Sequence, residues 1–198
     1  MLLLSRLLTT LVGVCLACSF CGQAYLELAA QMGIVFTSAG EYGSGVSVFD
    51  WDKDGYDDVV FLKQGASPAF YHNSQDGFES VNFSLPVFNE PKSLTWIDFD
   101  NDGDYDIFVN AVNESNRLFR NLGNMSFVDI TTGSNLALTT GEGFTTSWAD
   151  VNNDGFIDVY IGNYDSVEFG PNISNFLFLN NAGSGTFTNA TSTWQCGN

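Results

Sequence analysis

The chain has 198 residues and a formal net charge of −17, with 6 lysines and arginines against 23 aspartates and glutamates. A surface this acidic repels nucleic acid and anionic lipid, so neither is an expected partner. Hydrophobic residues make up 44% of the chain and include 18 phenylalanines, which excludes a disordered acidic tail. The length predicts one domain with a packed core.

The first 24 residues have the features of a secretory signal peptide. One early cation, Arg6, precedes an uncharged apolar run, and a small-residue cleavage site ends at Ala24. The apolar run is shorter than the roughly 20 residues that a membrane span needs. We therefore expect residues 1–24 to be removed, a secreted extracellular product, and no membrane insertion after cleavage. A retained anchor and a lipid-modified Cys18 are the alternatives.

Cysteine usage and glycosylation motifs both bear on the exported part of the chain. Three of the four cysteines lie inside the leader, and only Cys196 follows it. That cysteine is either a free thiol or the partner of a cysteine in sequence that this chain lacks. In a eukaryotic secretory route, Asn-x-Ser/Thr sequons are acceptors for glycans. The sequons here are Asn82, Asn113, Asn124, Asn172 and Asn189.

Three segments of the remaining chain align without gaps. They are VSVFDWDKDGYDDVVFL from Val46, LTWIDFDNDGDYDIFVN from Leu94 and TSWADVNNDGFIDVYIG from Thr146. Each segment is followed by an apolar pair, an asparagine, a turn that contains glycine, and a phenylalanine. A repeat unit of about fifty residues has the length of four short strands with their turns, as in a propeller blade.

Alternating apolar and polar residues, bounded by turn residues, predict four strands in each unit and no sustained helix. In the second unit we predict strands near 93–99, 106–112, 117–121 and 126–131, with Asn121, Gly123 and Asn124 in the last hairpin turn. Residues 25–36 have the pattern of the outer strand of a preceding unit. The predicted organisation is a signal peptide (1–24), an outer strand and connection (25–42), and repeats at 43–91, 92–142 and 143–198.

Each repeat contains the sequence DxDxDGxxD or a close variant. Oxygens at positions 1, 3 and 5 of a tight loop converge on one point, glycine at position 6 permits the sharp turn, and position 7 offers a backbone carbonyl. Oxygen ligands without histidine or cysteine favour calcium over zinc or copper, so we expect one calcium ion in each repeat. The candidate ligands are Asp50, Asp52, Asp54, Tyr56 and Asp58 in repeat 1, Asp98, Asp100, Asp102, Asp104 and Asp106 in repeat 2, and Asp150, Asn152, Asp154, Phe156 and Asp158 in repeat 3.

Two other interpretations of these acidic segments are weaker. Acidic clusters between strands are often plain solvated turns, but three copies at a regular spacing argue against that interpretation. An EF-hand needs a glutamate at position 12 and flanking helices. Position 12 is Phe61, Val109 or Ile161 here, inside predicted strands.

The acidic loop, followed by an N-x-L-F-x-N-like strand and a glycine turn before phenylalanine, resembles the FG-GAP or VCBS repeat. Segments such as WIDFDNDGDYDIFVN and NRLFRNLGNMSFVDIT are most similar to the secreted cartilage acidic protein (ASPIC/UnbV-type) branch. The resemblance implies all-β propeller blades like those of integrin α-subunits, in which the loop joins the first two strands and binds calcium. Asn152 departs from the pattern because it replaces an aspartate, so we expect a weaker third site.

Three repeats and one further strand are fewer than the roughly four to eight blades of a closed propeller. We therefore expect an incomplete β-propeller with two open apolar faces, completed by remaining blades from a longer chain or by self-association. The core or inter-blade positions predicted from the alignment are Val48, Trp96 and Trp148, together with Phe49, Ile97 and Ala149.

The sequence predicts no catalytic site. The single histidine, His72, aligns with Arg120 and Leu179, which is typical of a variable strand position. Identical carboxylate spacing in three copies fits ligand sets better than paired acids of a glycosidase. We expect a calcium-binding module for adhesion or recognition of extracellular protein or glycan, with Trp51 and Trp194 as exposed aromatics able to stack on a sugar. The alternative is a non-catalytic propeller region of a larger extracellular enzyme.

Overall fold

The computed structural model of the chain describes residues 26–37, 45–138, 142–164 and 174–194. The predicted signal peptide, Cys18, Cys196 and the sequon Asn172 lie outside these residues. The described part forms three four-stranded antiparallel sheets, which confirms the all-β prediction and is consistent with propeller blades.

Each sheet is a meander in which strands lie side by side in chain order. The first contains β1 (Val46–Phe49), β2 (Asp58–Phe61), β3 (Ala69–Asn73) and β4 (Phe78–Val81). The second contains β5 (Pro91–Ile97), β6 (Asp106–Ala111), β7 (Arg117–Asn121) and β8 (Phe127–Asp129). The third contains β9 (Glu142–Ala149), β10 (Asp158–Tyr164), β11 (Phe176–Asn180) and β12 (Phe187–Asn189). A one-turn helix, α1 (Thr131–Ser134), follows β8.

The strands of the second unit lie where the sequence predicts them, apart from shifts of up to two residues at their ends. The last hairpin turn also has the predicted residues, because Gly123 and Asn124 adopt positive φ angles of 90° and 52°. The backbone N–H of Leu122 donates to the carbonyl of Ser126 at 2.8 Å and closes this turn. Glycine and asparagine adopt such angles more readily than other residues, so these two fix the hairpin.

Two hydrophobic cores lie between the sheets, one at each junction. The first joins Trp51, Val60 and Phe70 of the first sheet to residues of the second, including Trp96. The second core joins the other side of the second sheet, which includes Phe99, Phe108 and Leu118, to Val159, Ile161 and Phe178 of the third. Strand β6 is consequently buried at all six positions, whereas β2 alternates between buried and half-buried residues.

The outward faces of the first and third sheets are partly exposed. Trp51 and Phe99 occupy one repeat position and are 4% and 0% exposed, but their counterpart Val151 is 43% exposed. On the other side, Val48 is 59% exposed although its counterpart Trp96 is 7% exposed. The prediction that Val48 is a core position is therefore wrong, because no further sheet covers this face of the first sheet among the described residues.

Two other aligned or aromatic positions differ from the sequence-based expectation. Ala149 is exposed, whereas Phe49, Ile97 and Trp148 are half-buried or buried in the inter-sheet cores, as predicted. The prediction that Trp51 is an exposed aromatic is wrong, because its ring packs edge-on against Phe70 with centroids 5.9 Å apart. Trp194 is 46% exposed.

Residues 26–37 do not form the predicted outer strand. They contain a turn, in which Ile34 N–H donates to the carbonyl of Ala29 at 2.8 Å, and then backbone without strand pairing. Phe36 stacks on Phe61 of β2 with ring centroids 4.7 Å apart, so this segment covers part of the open face of the first sheet. The turn replaces the strand because Gly33 adopts a φ of 94° and breaks the extended pattern. No helix in the described ranges has the length and apolarity that crossing a membrane requires.

Candidate metal centre

The three acidic loops occupy the same place in each sheet. They join the first strand to the second, at residues 50–57, 98–105 and 150–157, as the sequence predicts. The first strands of neighbouring sheets are in contact, so the three loops lie along one edge of the array. Each predicted set of ligand residues therefore lies in one loop and at the start of the strand that follows it.

The first aspartate of each loop organises the turn. In the second loop, Asp98 accepts the backbone N–H groups of Asp102 and Gly103 through its two carboxylate oxygens, each at 3.1 Å. Asp50 and Asp150 make the same pair of contacts in the other two loops. A second turn follows, because the residue at position 7 donates its N–H to the position-5 aspartate. These pairs are Tyr56 to Asp54 at 2.8 Å, Asp104 to Asp102 at 2.9 Å and Phe156 to Asp154 at 2.9 Å.

Glycine is required at position 6 by the backbone angle and not by space. Gly55, Gly103 and Gly155 have φ angles of 94°, 90° and 91°, and a Cβ atom added at any of them would have no neighbour within 4 Å. Only glycine adopts this conformation without strain. The sharp turn that the sequence predicts at position 6 is therefore present in all three loops.

The last aspartate of each loop is a buried anchor. Asp106 is fully buried, and its two oxygens accept the N–H groups of Phe99 at 3.2 Å and Asn121 at 2.8 Å. Asp58 and Asp158 are buried in the same way and accept the equivalent pairs of N–H groups. Position 9 thus ties the loop to the third strand of its sheet, a role that the sequence did not predict.

An asparagine on the third strand completes this anchor, whereas the sequence predicted only a hairpin-turn position for Asn121. The side chain of Asn121 donates to the carbonyl of Tyr105 at 3.1 Å, immediately before the last aspartate. Asn73 and Asn180 make the equivalent bonds to Asp57 and Ile157. The available signal was the presence of asparagine at the same place in all three repeats.

Carboxylates converge at positions 1, 3 and 9 in the first two loops. In each set, one oxygen from each residue lies within 4.8 Å of the others. The sets are Asp50, Asp52 and Asp58, and Asp98, Asp100 and Asp106. The third loop places Asn152 at position 3, so it has one carboxylate fewer. The position-7 carbonyls of Tyr56, Asp104 and Phe156 remain predicted ligands.

Burial and neighbouring negative charges raise the pKa values of three aspartates in these sets. Burial is the largest cause of the raised pKa of Asp106, which reaches about 7, and the charges of Asp100 and Asp102 raise it further against the two backbone N–H donors. Burial likewise raises the pKa of Asp58 and of Asp100, and Asp102 adds to the shift at Asp100. A bound cation would favour the ionised form of these groups.

The donor chemistry fits a hard divalent cation. Every side-chain ligand that the loop offers is an oxygen, and calcium binds six to eight carboxylate and carbonyl oxygens in flexible geometry. Asp50, Asp98 and Asp150 hold the backbone in the turn, and the second lone pairs of their oxygens stay open to a metal. The acidic clusters of the repeats can therefore hold metal ions.

Neighbouring loops are connected by their position-4 residues. The ammonium group of Lys53 donates to the carbonyl of Gly103 in the next loop and lies 4.7 Å from the ring centroid of Tyr105. Asn101 of the second loop donates its side-chain N–H to the carbonyl of Gly155 at 2.9 Å. Lys53 and Asn101 both have positive φ angles, of 64° and 58°.

Comparison with known proteins agrees with this geometry. The model of the FG-GAP-like repeat matches the chain twice, at residues 50–109 and 98–161. Each match begins at the first aspartate of one loop and ends within the second strand of the next sheet, so together they cover all three loops. None of the curated proteins compared with the chain matches it. The matched residues span more than half of the sequence, and the chain belongs to the FG-GAP-like repeat family.

Proposed function

We propose that the chain is a secreted calcium-binding repeat module that recognises an extracellular protein or glycan. The observation that carries the calcium assignment is the convergence of three carboxylates in each of two loops, one of them the buried Asp106 with its pKa raised to about 7. Calcium would offset the mutual repulsion of these groups and would use oxygen ligands that the turn already holds in place.

Calcium in this proposal acts on the shape of one edge of the protein. The loops form a continuous row because Lys53 and Asn101 connect each loop to the next. Ions bound in the row would fix the loop backbones and the exposed side chains that the loops carry, such as the ring of Tyr56. A fixed surface loses less conformational entropy when a partner binds, which supports a recognition role.

The proposal includes no catalysis. The three loops repeat one arrangement, whereas an active site needs groups with different roles at one place. Three copies of one ligand set support a binding module.

The partly exposed faces of the first and third sheets support the packing of additional blades against them. Val48 on the first sheet and Val151 on the third occupy positions that are buried in the middle of the array. An additional blade at either face, from a longer chain or from a second copy of this one, would bury them. Repeat arrays generally need such neighbours or caps at their ends.

Thermal unfolding of the full chain in EDTA and in millimolar calcium tests the metal assignment. A ligand that binds only the folded state stabilises it by about 4 kcal/mol per site at 1,000 times its dissociation constant, so we expect a large rise in the midpoint with calcium. Asp98→Asn should reduce the rise, whereas Asp76→Asn, which removes an exposed acid from the β3–β4 hairpin, should leave it unchanged. A cooperative transition that is indifferent to calcium would refute the assignment.

The recognition role has its own test. The calcium-loaded chain is applied to arrays of extracellular glycans and matrix proteins, and the binding is repeated in EDTA. We expect at least one ligand class to bind in calcium and to be released by EDTA. Secretion is tested by mass spectrometry of the exported product, which should begin after Ala24.

A further inference from the structure

The only histidine of the chain lies against the first acidic loop. His72 is on β3, and its Nε2 atom is 3.0 Å from Oδ2 of Asp52 and 3.5 Å from Oδ2 of Asp54. One nitrogen of His72 and one oxygen of each aspartate lie within 4.8 Å of one another. This set shares Asp52 with the set of Asp50, Asp52 and Asp58, and its Asp54 is also a predicted calcium ligand.

The equivalent position in the second sheet already holds a positive charge. Arg120 on β7 aligns with His72, and its Nε atom is 3.1 Å from Oδ2 of Asp100, the counterpart of Asp52. The guanidinium group of Arg120 supplies the positive charge at this place, but it has no lone pair with which to bind a metal.

The third sheet supplies the opposite case. Its position-3 residue is Asn152, and the residue that aligns with His72 is Leu179. A basic side chain thus lies beside the loop where position 3 is an aspartate, and a leucine replaces it where position 3 is neutral. His72 lies beside a loop whose position-3 residue is an aspartate. Unlike Arg120, it has a ring nitrogen able to bind a metal ion.

We propose that His72, Asp52 and Asp54 form a site for a borderline divalent ion of the zinc class. Imidazole nitrogen selects zinc and similar transition ions, whereas calcium takes oxygen ligands. Three protein ligands with a fourth position for water are a common zinc arrangement. The inference rests on the proposed function in one respect, because it takes the acidic loops to be metal sites, and it gives the first loop an ion selectivity that the other two lack.

The site would make the first loop responsive to two metals. Asp52 belongs both to the nitrogen-containing set and to the oxygen-only set of Asp50 and Asp58. Zinc at the first set would therefore compete with calcium for Asp52 and for Asp54, which is also a predicted calcium ligand. In the second loop Arg120 prevents this choice, and in the third Leu179 offers no ligand.

The test uses the single histidine as its reporter. The untagged, ¹⁵N-labelled full chain is titrated with Zn²⁺ in the absence of calcium, and the imidazole nitrogen resonances of His72 are followed by NMR. We expect a change in the ring signals that is complete at one equivalent of Zn²⁺. Ring signals that do not change while Zn²⁺ saturates the protein would overturn the proposal.

Two matched variants complete the test, each carrying the leucine that the third sheet has naturally. His72→Leu should weaken Zn²⁺ binding by at least about 100-fold in calorimetry, the upper end of what loss of a ligand's supporting partner costs. Arg120→Leu should leave the Zn²⁺ affinity of the first loop unchanged. Equal Zn²⁺ affinities in the wild type and His72→Leu would overturn the proposal.

A calcium arm separates this inference from the proposed function. If calcium fails to raise the unfolding midpoint while Zn²⁺ still changes the His72 resonances, the calcium assignment fails and the zinc site stands. If calcium raises the midpoint and Zn²⁺ leaves His72 unaffected, the zinc site alone is refuted.

Discussion

The side chain of Asn180 in the third sheet donates an N–H to the backbone carbonyl of Phe99 in the second, at 2.8 Å. The same amide group also donates to the carbonyl of Ile157 in its own loop at 3.1 Å. One side chain therefore fixes an acidic loop and joins two sheets. Asn73 in the first sheet holds its own loop in the same way and lies on the terminal side of the array.

This difference predicts unequal costs for one substitution at equivalent sites. Asn180→Ala should lower the free energy of unfolding by about 1–3 kcal/mol, because it leaves buried polar groups without partners. Asn73→Ala should cost less, since Asn73 is half-buried and water can replace its bond. Urea unfolding in EDTA measures both values, and equal losses would contradict the prediction.

The position-6 glycine can be tested separately from its surroundings. Gly103→Ala should destabilise the protein by about 1–2 kcal/mol, because alanine is strained at a φ of 90°. Gly133 in α1 is the control, since a Cβ there also has no neighbour within 4 Å but the backbone is helical. Gly133→Ala should stabilise by about 0.5–1 kcal/mol. Chemical denaturation of the two variants at one pH makes the comparison, and equal losses at both sites would contradict the prediction.

The raised pKa of Asp106 predicts the pH dependence of the metal-free protein. Folded Asp106 keeps its proton up to about pH 7, whereas an unfolded aspartate loses it near pH 3.9. The folded state thus binds more protons between these values, so stability in EDTA should fall as the pH rises from about 4 to 7. The raised pKa values of Asp58 and Asp100 act in the same direction.

Urea midpoints measured across this pH range in EDTA check the slope. Asp106→Asn should flatten it, whatever the variant costs in absolute stability. Calcium should also reduce the slope, because the ion binds the ionised carboxylate. A midpoint that rises steadily from pH 4 to 7 in EDTA would contradict the prediction.

The third loop can be given the charge of the other two. Asn152→Asp adds a carboxylate at position 3, so it should enlarge the rise in unfolding midpoint that calcium produces. Asn153→Asp is the matched control, because it adds the same charge one residue away, at position 4, where φ is 60°. Calcium titrations of both variants by calorimetry should show tighter binding only for Asn152→Asp. Equal gains would mean that net charge alone sets affinity.

The open faces predict association of the chain. Val48→Asp should shift light-scattering mass toward the monomer, because an aspartate would have to be buried against a second copy. Val87→Asp is the control, since Val87 is exposed to a similar extent, 57% against 59%, and lies in the connection between β4 and β5. A wild-type chain that is a stable monomer at high concentration would contradict self-association.

Much of the fold followed from repetition and alternation. The four strands of the second unit, the loop between the first two strands of each sheet and the Asn121 to Asn124 turn were all predictable, because they depend on local residue patterns. The outer strand predicted at residues 25–36 was wrong, because an apolar pattern alone does not distinguish a strand from a turn followed by unpaired backbone, in which Phe36 packs on Phe61.

Burial at the ends of the array was less predictable than burial within it. Val48 and Trp96 occupy one repeat position, yet their exposure differs. Trp96 packs against the first sheet, whereas Val48 faces no other sheet among the described residues. The same distinction explains why Trp51 is buried, since it faces the second sheet. Alignment finds equivalent positions, but the number of neighbouring sheets decides which of them are covered.

The bonds from Lys53 to Gly103 and from Asn101 to Gly155 connect the three loops in a linear row. In such a row each loop is coupled only to its nearest neighbours, and the coupling between two loops is reciprocal. The middle loop has two neighbours and the outer loops have one each within the described chain. If ions bind in the loops, an ion in the middle loop would therefore influence both others, whereas an ion in an outer loop would influence the middle one.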